Sequence, residues 1–530
     1  MIEVEVHASL RAFLREQGQL SWPHHLTMAR LVARALRLGR SALIQTGSTQ
    51  GRYRLSYLAP ALLWRGPVIL VAPISTQQWL LRMEIPLLRE WIGTDKPIQI
   101  GDSFPNPDFN GLLITSPTAW LGDSIFNKGG FPPGIPTLID GADDLEDWTR
   151  NQLKVCINPW DWDELMLACP QEADLIRDVR VRLTKAVFQH PPNPYNCYLI
   201  EAMERNALQQ LFERLHPDSK EQYGSSYSCT ETNYRNSEFE KANKEQYHYL
   251  PKSWQDFWHS WQKSDWLIWA SIARSQGQFS LYCEPIEVGN SLSNIWSNQP
   301  VVLIGRALDL ETSASVYRQR LGLGELTCLK FSPDRQSELI QLYLPDGIPM
   351  PNTPQFQEVL TRQVRSLITL SANSTSPVVI LVGDVPLKAQ LGTVLAAEFG
   401  SRVAVEKTEL GDRGILVCGW EFWRSHQELL PNPQLLIITT LPIPSLENPL
   451  VAGQVSYYKH QHLDWFRLYL LPTALNELQR AIAPVRASQG VIALLDNRVN
   501  HRSYGAQVLS ALSPFARINY LDASWFESDS

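Results

Sequence analysis

An α/β fold built on parallel, doubly wound sheets is predicted by three features of this 530-residue sequence. Short apolar runs occur at Ala42 to Ile44, Val68 to Ala72, Gly111 to Thr115 and Thr137 to Asp140, each with the length and composition of a strand buried on both faces. Between them lie segments with apolar residues at helical spacing, such as Gln77 to Trp91. The alternation returns later, with strands expected at Val378 to Val382, Gly414 to Val417, Leu435 to Thr439 and Val491 to Leu495. Strands that alternate with helices favour parallel sheets, because each parallel crossover needs a helix to cover the sheet, and they place a ligand site at the carboxyl ends of the strands.

The totals set bounds on this reading. The length suits roughly three or four domains, with ample apolar content for real cores. No apolar run approaches the ~20 residues that span a bilayer, and the opening MIEVEVHASLRAF lacks the basic and apolar regions of a signal peptide. A soluble, cytoplasmic protein with no membrane partner is expected. A formal charge of −7 and a pI near 5.9 argue against holding nucleic acid by bulk electrostatics and leave only a local basic channel for it. Lys and Arg are spread along the chain, so no such surface stands out. The seven cysteines, Cys156, Cys169, Cys197, Cys229, Cys283, Cys328 and Cys418, include no CxxC pair and read as small buried hydrophobes. The tryptophans clustered from Trp254 to Trp269 read as core packing, and His24, His25, His460 and His462 as surface or loop residues.

Taken in order, Leu26, Met28, Leu31, Val32, Ala35 and Leu36 form an apolar helical stripe leading into the first strand. Ser41 to Leu62 (SALIQTGSTQGRYRLSYLAPAL) then reads as strand, phosphate loop and helix, with Gly47 and Gly51 in the loop. In a working loop of this kind, backbone N–H groups cradle phosphates, a Lys follows the last Gly, and a Ser or Thr hydroxyl holds Mg²⁺. Here the Lys position is Arg52 and the hydroxyl position is Tyr53. The residues left to hold a nucleotide are Gly47, Ser48, Gly51 and Arg52. The fourth strand ends in PTLIDGADDLEDW, where Asp140 is placed to hold Mg²⁺ beside such a loop. The following residue, which would orient the attacking water, is Gly141, and glycine accepts no proton. Asp140 and Asp143 could bind Mg²⁺, but without a loop hydroxyl a solvated strand end is the favoured reading of both.

With these two motifs in place the chain resembles the DinG and XPD type of superfamily 2 DNA helicase. TGSTQGRY at Thr46 to Tyr53 follows the spacing of that family's AGTGTGKS or AGTGTGKT. DGADDLED at Asp140 to Asp147 follows its DEAH and N-L-E-D tail, with Gly141 for Glu and Asp143 for His. Ile304, Gly305 and Arg306 stand where the family has T-S-A. LGLGEL, FSP and LYLPDGIPMPN, within Leu321 to Asn352, resemble its junction between motor domains, and LLIITTLPIPSLENPLVA at Leu435 to Ala452 is similar to its L-P-F-P and D-P-L-V segment. The Phe422-Trp423 pair of the fifth motif is kept, but Arg424, Ser425, His426 and Gln427 replace the E-G-V-D that follows. At Pro472 to Arg486 the arginine-finger position falls on Ala483 or Pro484, with Arg480 and Arg486 nearby and a Pro expected to strain the helix.

The resemblance implies two RecA-like parallel-sheet motor domains with a helical, arch-like insertion in the first. The expected boundaries are residues 1–149 for the first part of motor one, 150–264 for the insertion, with a flexible 217–249, 265–353 for the return and junction, and 354–530 for motor two. EADLIRDVRVRLTKAVF and NCYLIEAMERNALQQLFERL are expected as helices of the insertion, and Asp265 to Val288 as a strand pair re-entering the motor. The resemblance further implies ATP and Mg²⁺ as cofactors and single-stranded or forked DNA as partner. No cysteine precedes Cys156, so the family's iron–sulfur cluster, which needs four cysteines before Gly111, is not expected. Because the Lys, hydroxyl, carboxylate and finger positions are all substituted, little or no ATP hydrolysis is expected, and Asp140, Asp143, Arg480 and Arg486 remain as remnant positions. The function expected is binding, to nucleic acid or to a protein partner. Two alternatives stay open: a divergent but active ATP-dependent DNA helicase, and a protein scaffold without DNA contact.

Overall fold

The computed structural model describes residues 1–16, 22–47, 51–216, 250–333, 338–411, 413–520 and 522. Ser48 and the expected flexible segment 217–249 lie outside these. The chain divides into two compact units, one of residues 1–148, 288–443 and 466–530, the other of residues 149–287 and 444–465.

The first unit holds two seven-stranded sheets, each entirely parallel. One runs Thr327–Lys330, Ala42–Gln45, Val301–Gly305, Thr137–Asp140, Val68–Val71, Leu112–Thr115, Ile98–Ile100. The other runs Val403–Val405, Ile415–Cys418, Val378–Leu381, Leu435–Ile438, Val491–Leu494, Ile340–Tyr343, Phe515–Ile518. The expected inner strands are all present within a residue or so of their predicted ends. Their continuous apolar runs have a simple cause: both faces of each sheet are covered. Ala42 and Ile44 enter one core with Val32, Leu58 and Leu62, whereas Leu43 points to the other face with Trp120, Leu121 and Leu292.

Four strands that the pattern does not reveal, Ile98–Ile100, Thr327–Lys330, Val403–Val405 and Phe515–Ile518, are the open edges of the sheets, and none has a continuously buried run. The segment Leu321 to Asn352 adds one strand to each sheet, Thr327–Lys330 to the first and Ile340–Tyr343 to the second. The helix expected at Gln77 to Trp91 is three pieces, Ile74–Trp79, a π turn at Leu80–Glu84, and Ile85–Ile92, so that Pro86 falls in the first turn of the last piece, where its missing N–H is tolerated.

The second unit is mixed rather than purely helical. Helices Asp161–Ala168, Ala173–Gln189, Ala202–Leu215 and Lys252–Trp261 accompany an antiparallel sheet ordered Val155–Ile157, Gln278–Pro285, Trp266–Ala273, Cys197–Leu199. The stretch NCYLIEAMERNALQQLFERL therefore opens as a strand, and its helix begins only at Ala202, where Glu201 and Glu204 form a capping box. Trp266–Ala273 and Gln278–Pro285, expected to re-enter the motor, form the centre of this unit's own sheet. Trp254, Trp258 and Trp261 pack with Trp162 and Phe257 in its core, with the Trp162 and Trp254 rings 4.8 Å apart. No helix among the described residues is long and apolar enough to cross a membrane.

Candidate functional site

Strand Ala42–Gln45 ends at Thr46, whose N–H donates to the Gly305 carbonyl at 2.8 Å; the Gly47 N–H donates to the Arg306 carbonyl at 3.1 Å. Gly47 has φ +58°, and a Cβ there would lie 2.6 Å from the Phe331 carbonyl oxygen, so only glycine fits. Beyond the undescribed residues, Gly51 opens a 3₁₀ turn, Arg52–Arg54, that runs into helix Leu55–Leu63. Arg52, expected at the Lys position, is exposed. The buried cation is Arg54, whose guanidinium packs so closely on Gly51 that a Cβ there would lie 2.5 Å from it. The buried cation thus stands two positions beyond Arg52, at the end of the 3₁₀ turn.

Asp140 corrects the expectation of a solvated strand end. It is 2% exposed, and both carboxylate oxygens are taken. Tyr53 Oη donates to Oδ1 at 2.7 Å, Tyr57 Oη donates to Oδ2 at 2.7 Å, and Arg54 Nε lies 3.4 Å from Oδ2. Arg54 Nη2 also donates to Thr76 Oγ1 at 3.3 Å. Burial, reinforced by the Asp140 charge, pushes both phenols well above the usual tyrosine range, so they remain donors. Burial opposes the Arg54 charge, and Asp140 leads the neighbouring groups that together more than offset it, leaving the guanidinium harder to deprotonate than usual. Tyr53 and Tyr57 are four residues apart on one helical face, a signal that could have paired them with the neighbouring strand end.

The residues around Asp140 do not fit a magnesium ion: the loop hydroxyl is a phenol aimed at the carboxylate, and each carboxylate oxygen already faces a buried phenol at 2.7 Å. Among the described residues no group of three or more His, Cys, Asp or Glu gathers to hold one elsewhere. Gly141, where a water-orienting Glu is expected in an ATPase, has φ +94°, and a Cβ there would lie 3.0 Å from the Trp148 ring. A glutamate at that position would be strained and crowded. Behind Arg54 the Glu84 carboxyl accepts from Trp79 Nε1 at 2.9 Å, and burial pushes its pKa up to about 7 despite the nearby Arg54.

The remaining predicted positions are also engaged. Asp143 accepts from the Arg306 and Ala307 N–H groups at 2.8 and 2.9 Å, fastening one strand end to the next. Arg480 forms a two-bond fork with Asp144, at 2.7 and 3.1 Å, and Arg306 pairs with Glu428. Arg486 is buried and donates to the carbonyls of Glu338, Leu512, Ser513 and Pro514. Burial pushes its pKa down to about 10. It thereby ties the segment leading into strand Ile340–Tyr343 to the one leading into Phe515–Ile518. The strain expected from Pro484 is absent, because helix Leu471–Ala481 stops and a new one, Ala483–Ala487, starts with that proline in its first turn. His25 is a further correction: it is 2% exposed, its Nδ1 lies 2.8 Å from Ser56 Oγ, and burial pushes its pKa down to about 4.

A cavity of about 390 Å³ opens beside this cluster, lined by Gly47, Arg306, Lys330, Gln479, Ala483 and Arg486 among others. Its cations are spoken for: Lys330 Nζ donates to the carbonyls of Asp309 and Leu310 at 2.8 and 2.6 Å, and Arg486 to the four named above.

Comparison with known proteins bears on this arrangement. Residues 431–515 match the family described as the helicase C-terminal domain. The ATP-dependent DNA helicase YoaA of Escherichia coli (strain K12) is 22% identical over 254 residues, covering 45% of this chain and 40% of that protein. YoaA of Haemophilus influenzae is 23% identical over 260 residues, covering 46% and 40%. The matched region thus spans well under half of either relative. Among solved structures, an apo XPD has a TM-score of 0.57 at 11% identity, covering 93% of this chain and 100% of that one. S. tokodaii Xpd4 has a TM-score of 0.56 at 12% identity, covering 93% and 99%.

Two parallel-sheet lobes of RecA-like architecture, with an insertion between strands Thr137–Asp140 and Val301–Gly305 of the first, give this chain a fold like that of the XPD structures. The sequence and structural matches are alike in kind: a helicase C-terminal domain, two YoaA helicases and two XPD structures, so the chain is similar to the DinG/XPD type. Its sequence has none of the four cysteines that carry the cluster in many members, since the first cysteine is Cys156.

Proposed function

We propose that this chain is a helicase-fold pseudoenzyme, which turns over little or no ATP and acts by binding. The observation that carries the reading is the Asp140 carboxylate, held by Tyr53 and Arg54 from the turn after the loop and by Tyr57 from the helix that follows it. Gly141, with no carboxylate to orient water, and Ala483 and Pro484 at the finger position support it. An arginine finger alone is worth roughly 10³ to 10⁵ in turnover.

The partner we propose is single-stranded or forked DNA, because the curated relatives are named ATP-dependent DNA helicases. The acidic total, with a net charge of −7, makes a narrow local contact the expected mode. The test is ATP hydrolysis with and without single-stranded DNA, alongside binding of the same oligonucleotide across a salt series. The reading expects no DNA-stimulated turnover and binding that weakens with salt. Turnover that Asp140→Ala abolishes would instead establish a divergent active helicase, and absence of any oligonucleotide binding would leave a protein partner as the ligand class.

A further inference from the structure

The geometry points to a nucleotide-independent latch between the two parallel-sheet lobes. Two ion pairs cross from lobe to lobe in opposite senses. Arg480, on helix Leu471–Ala481 of the second lobe, grips Asp144, four residues beyond the tip of strand Thr137–Asp140 in the first. Arg306, the residue after first-lobe strand Val301–Gly305, grips Glu428, two residues beyond helix Trp420–His426 of the second.

Reciprocity matters here, because each lobe offers one cation and accepts one, and sliding the lobes apart breaks both pairs at once. The Arg480 fork is bidentate, which fixes orientation as well as distance. It is also sheltered: the Arg480 side chain is 13% exposed and that of Asp144 30%, so screening by salt is weaker than for a surface pair. Its surroundings keep the sign pattern, with Asp143 adding negative charge on the first lobe and the Arg424–Glu477 pair flanking on the second.

In a two-lobed nucleotide motor the bridging anion is a phosphate that comes and goes. Here the bridging anions, Asp144 and Glu428, are part of the chain and stay. The lobes are therefore held together throughout, and their spacing does not follow ATP. The latch stands on these contacts and does not require that turnover be absent, so a turnover assay and a spacing measurement can fail separately.

The test is single-molecule energy transfer on the full chain, with dyes on unnatural amino acids at Ile100 and Val405, exposed positions on edge strands of the first and second lobes. The wild type is expected to give one population that does not move with saturating ATP–Mg. Arg480→Asp and Asp144→Arg are each expected to shift or split it, and the two reversals combined to restore it. Should either reversal fail to fold by circular dichroism, Arg480→Gln with Asp144→Asn removes the charges without repulsion and is expected to shift the population in the same direction. A wild-type population that moves on ATP–Mg, or folded variants whose population stays in place, overturns the latch.

Discussion

Replacing Tyr53 by Phe deletes the hydroxyl that donates to Asp140 Oδ1 while keeping the ring packed among its neighbours. A hydrogen bond to a charged group is worth about 1.5–3 kcal/mol, and a buried acceptor left without its donor sits at the upper part of that range. Asp140 is 2% exposed, so water has no ready access to the freed oxygen. Tyr53→Phe is therefore expected to cost about 2–3 kcal/mol. Tyr57→Phe should cost less, about 1–2 kcal/mol, because Arg54 still lies 3.4 Å from Oδ2. Because both changes act on one carboxylate, the double variant should depart from additivity. Whole-chain melts would mix this unit with the tryptophan-rich one. Hydrogen exchange of the peptide containing Thr137–Asp140 isolates it, and a 2 kcal/mol loss corresponds to exchange about 30-fold faster at 1.36 kcal/mol per tenfold. Exchange in Tyr53→Phe within about twofold of wild type, well under 1 kcal/mol, would refute the inference that the phenols satisfy a dry carboxylate.

Three further outcomes follow from the same structure. His25 has a folded-state pKa of about 4 against an ordinary 6.5, so its contribution is fully present above pH 6.5 and is lost as pH falls toward 4. Urea titrations across that window should show a loss of up to about 3 kcal/mol that His25→Asn flattens. Glu84 behaves oppositely: with its folded pKa raised from 4.5 to about 7, the native state holds the proton, and stability falls as pH rises from 4.5 to 7. Glu84→Gln, which can still accept from Trp79, should be more stable than wild type at pH 8 by about 1–3 kcal/mol in the same titration. Arg486→Met strips the donor from four carbonyls and should cost about 3–5 kcal/mol, read as faster hydrogen exchange of the peptides containing Ile340–Tyr343 and Phe515–Ile518.

The inner strands were legible because burial on two faces writes a continuous apolar run into the sequence, as at Val68–Val71 and Leu435–Ile438. The edge strands were not, since Ile98–Ile100 and Val403–Val405 carry half-exposed mixtures that resemble loops. Insertion strand Cys197–Leu199 was hidden by the helix that follows it. At the candidate site, spacing located the loop and the Asp140 strand tip, and the missing Lys, hydroxyl and carboxylate could be read directly. What filled the gap could not. The i, i+4 spacing of Tyr53 and Tyr57 hinted at a shared target, but that Arg54 joins them on Asp140 depends on the 3₁₀ turn Arg52–Arg54, which the sequence does not announce. Arg480 was visible as a cation near the finger position, but its partner Asp144 lies 336 residues away in sequence. Arg486 looked like a remnant of phosphate chemistry, and only the carbonyls converging on it reveal a structural plug.

Isothermal calorimetry of the full chain with Mg–ATP tests most directly whether the chain has filled its own phosphate site. A carboxylate already held by Tyr53, Tyr57 and Arg54 predicts no saturable heat, with wild type and Asp140→Ala alike. Saturable Mg–ATP binding by the wild type that Asp140→Ala abolishes would contradict it.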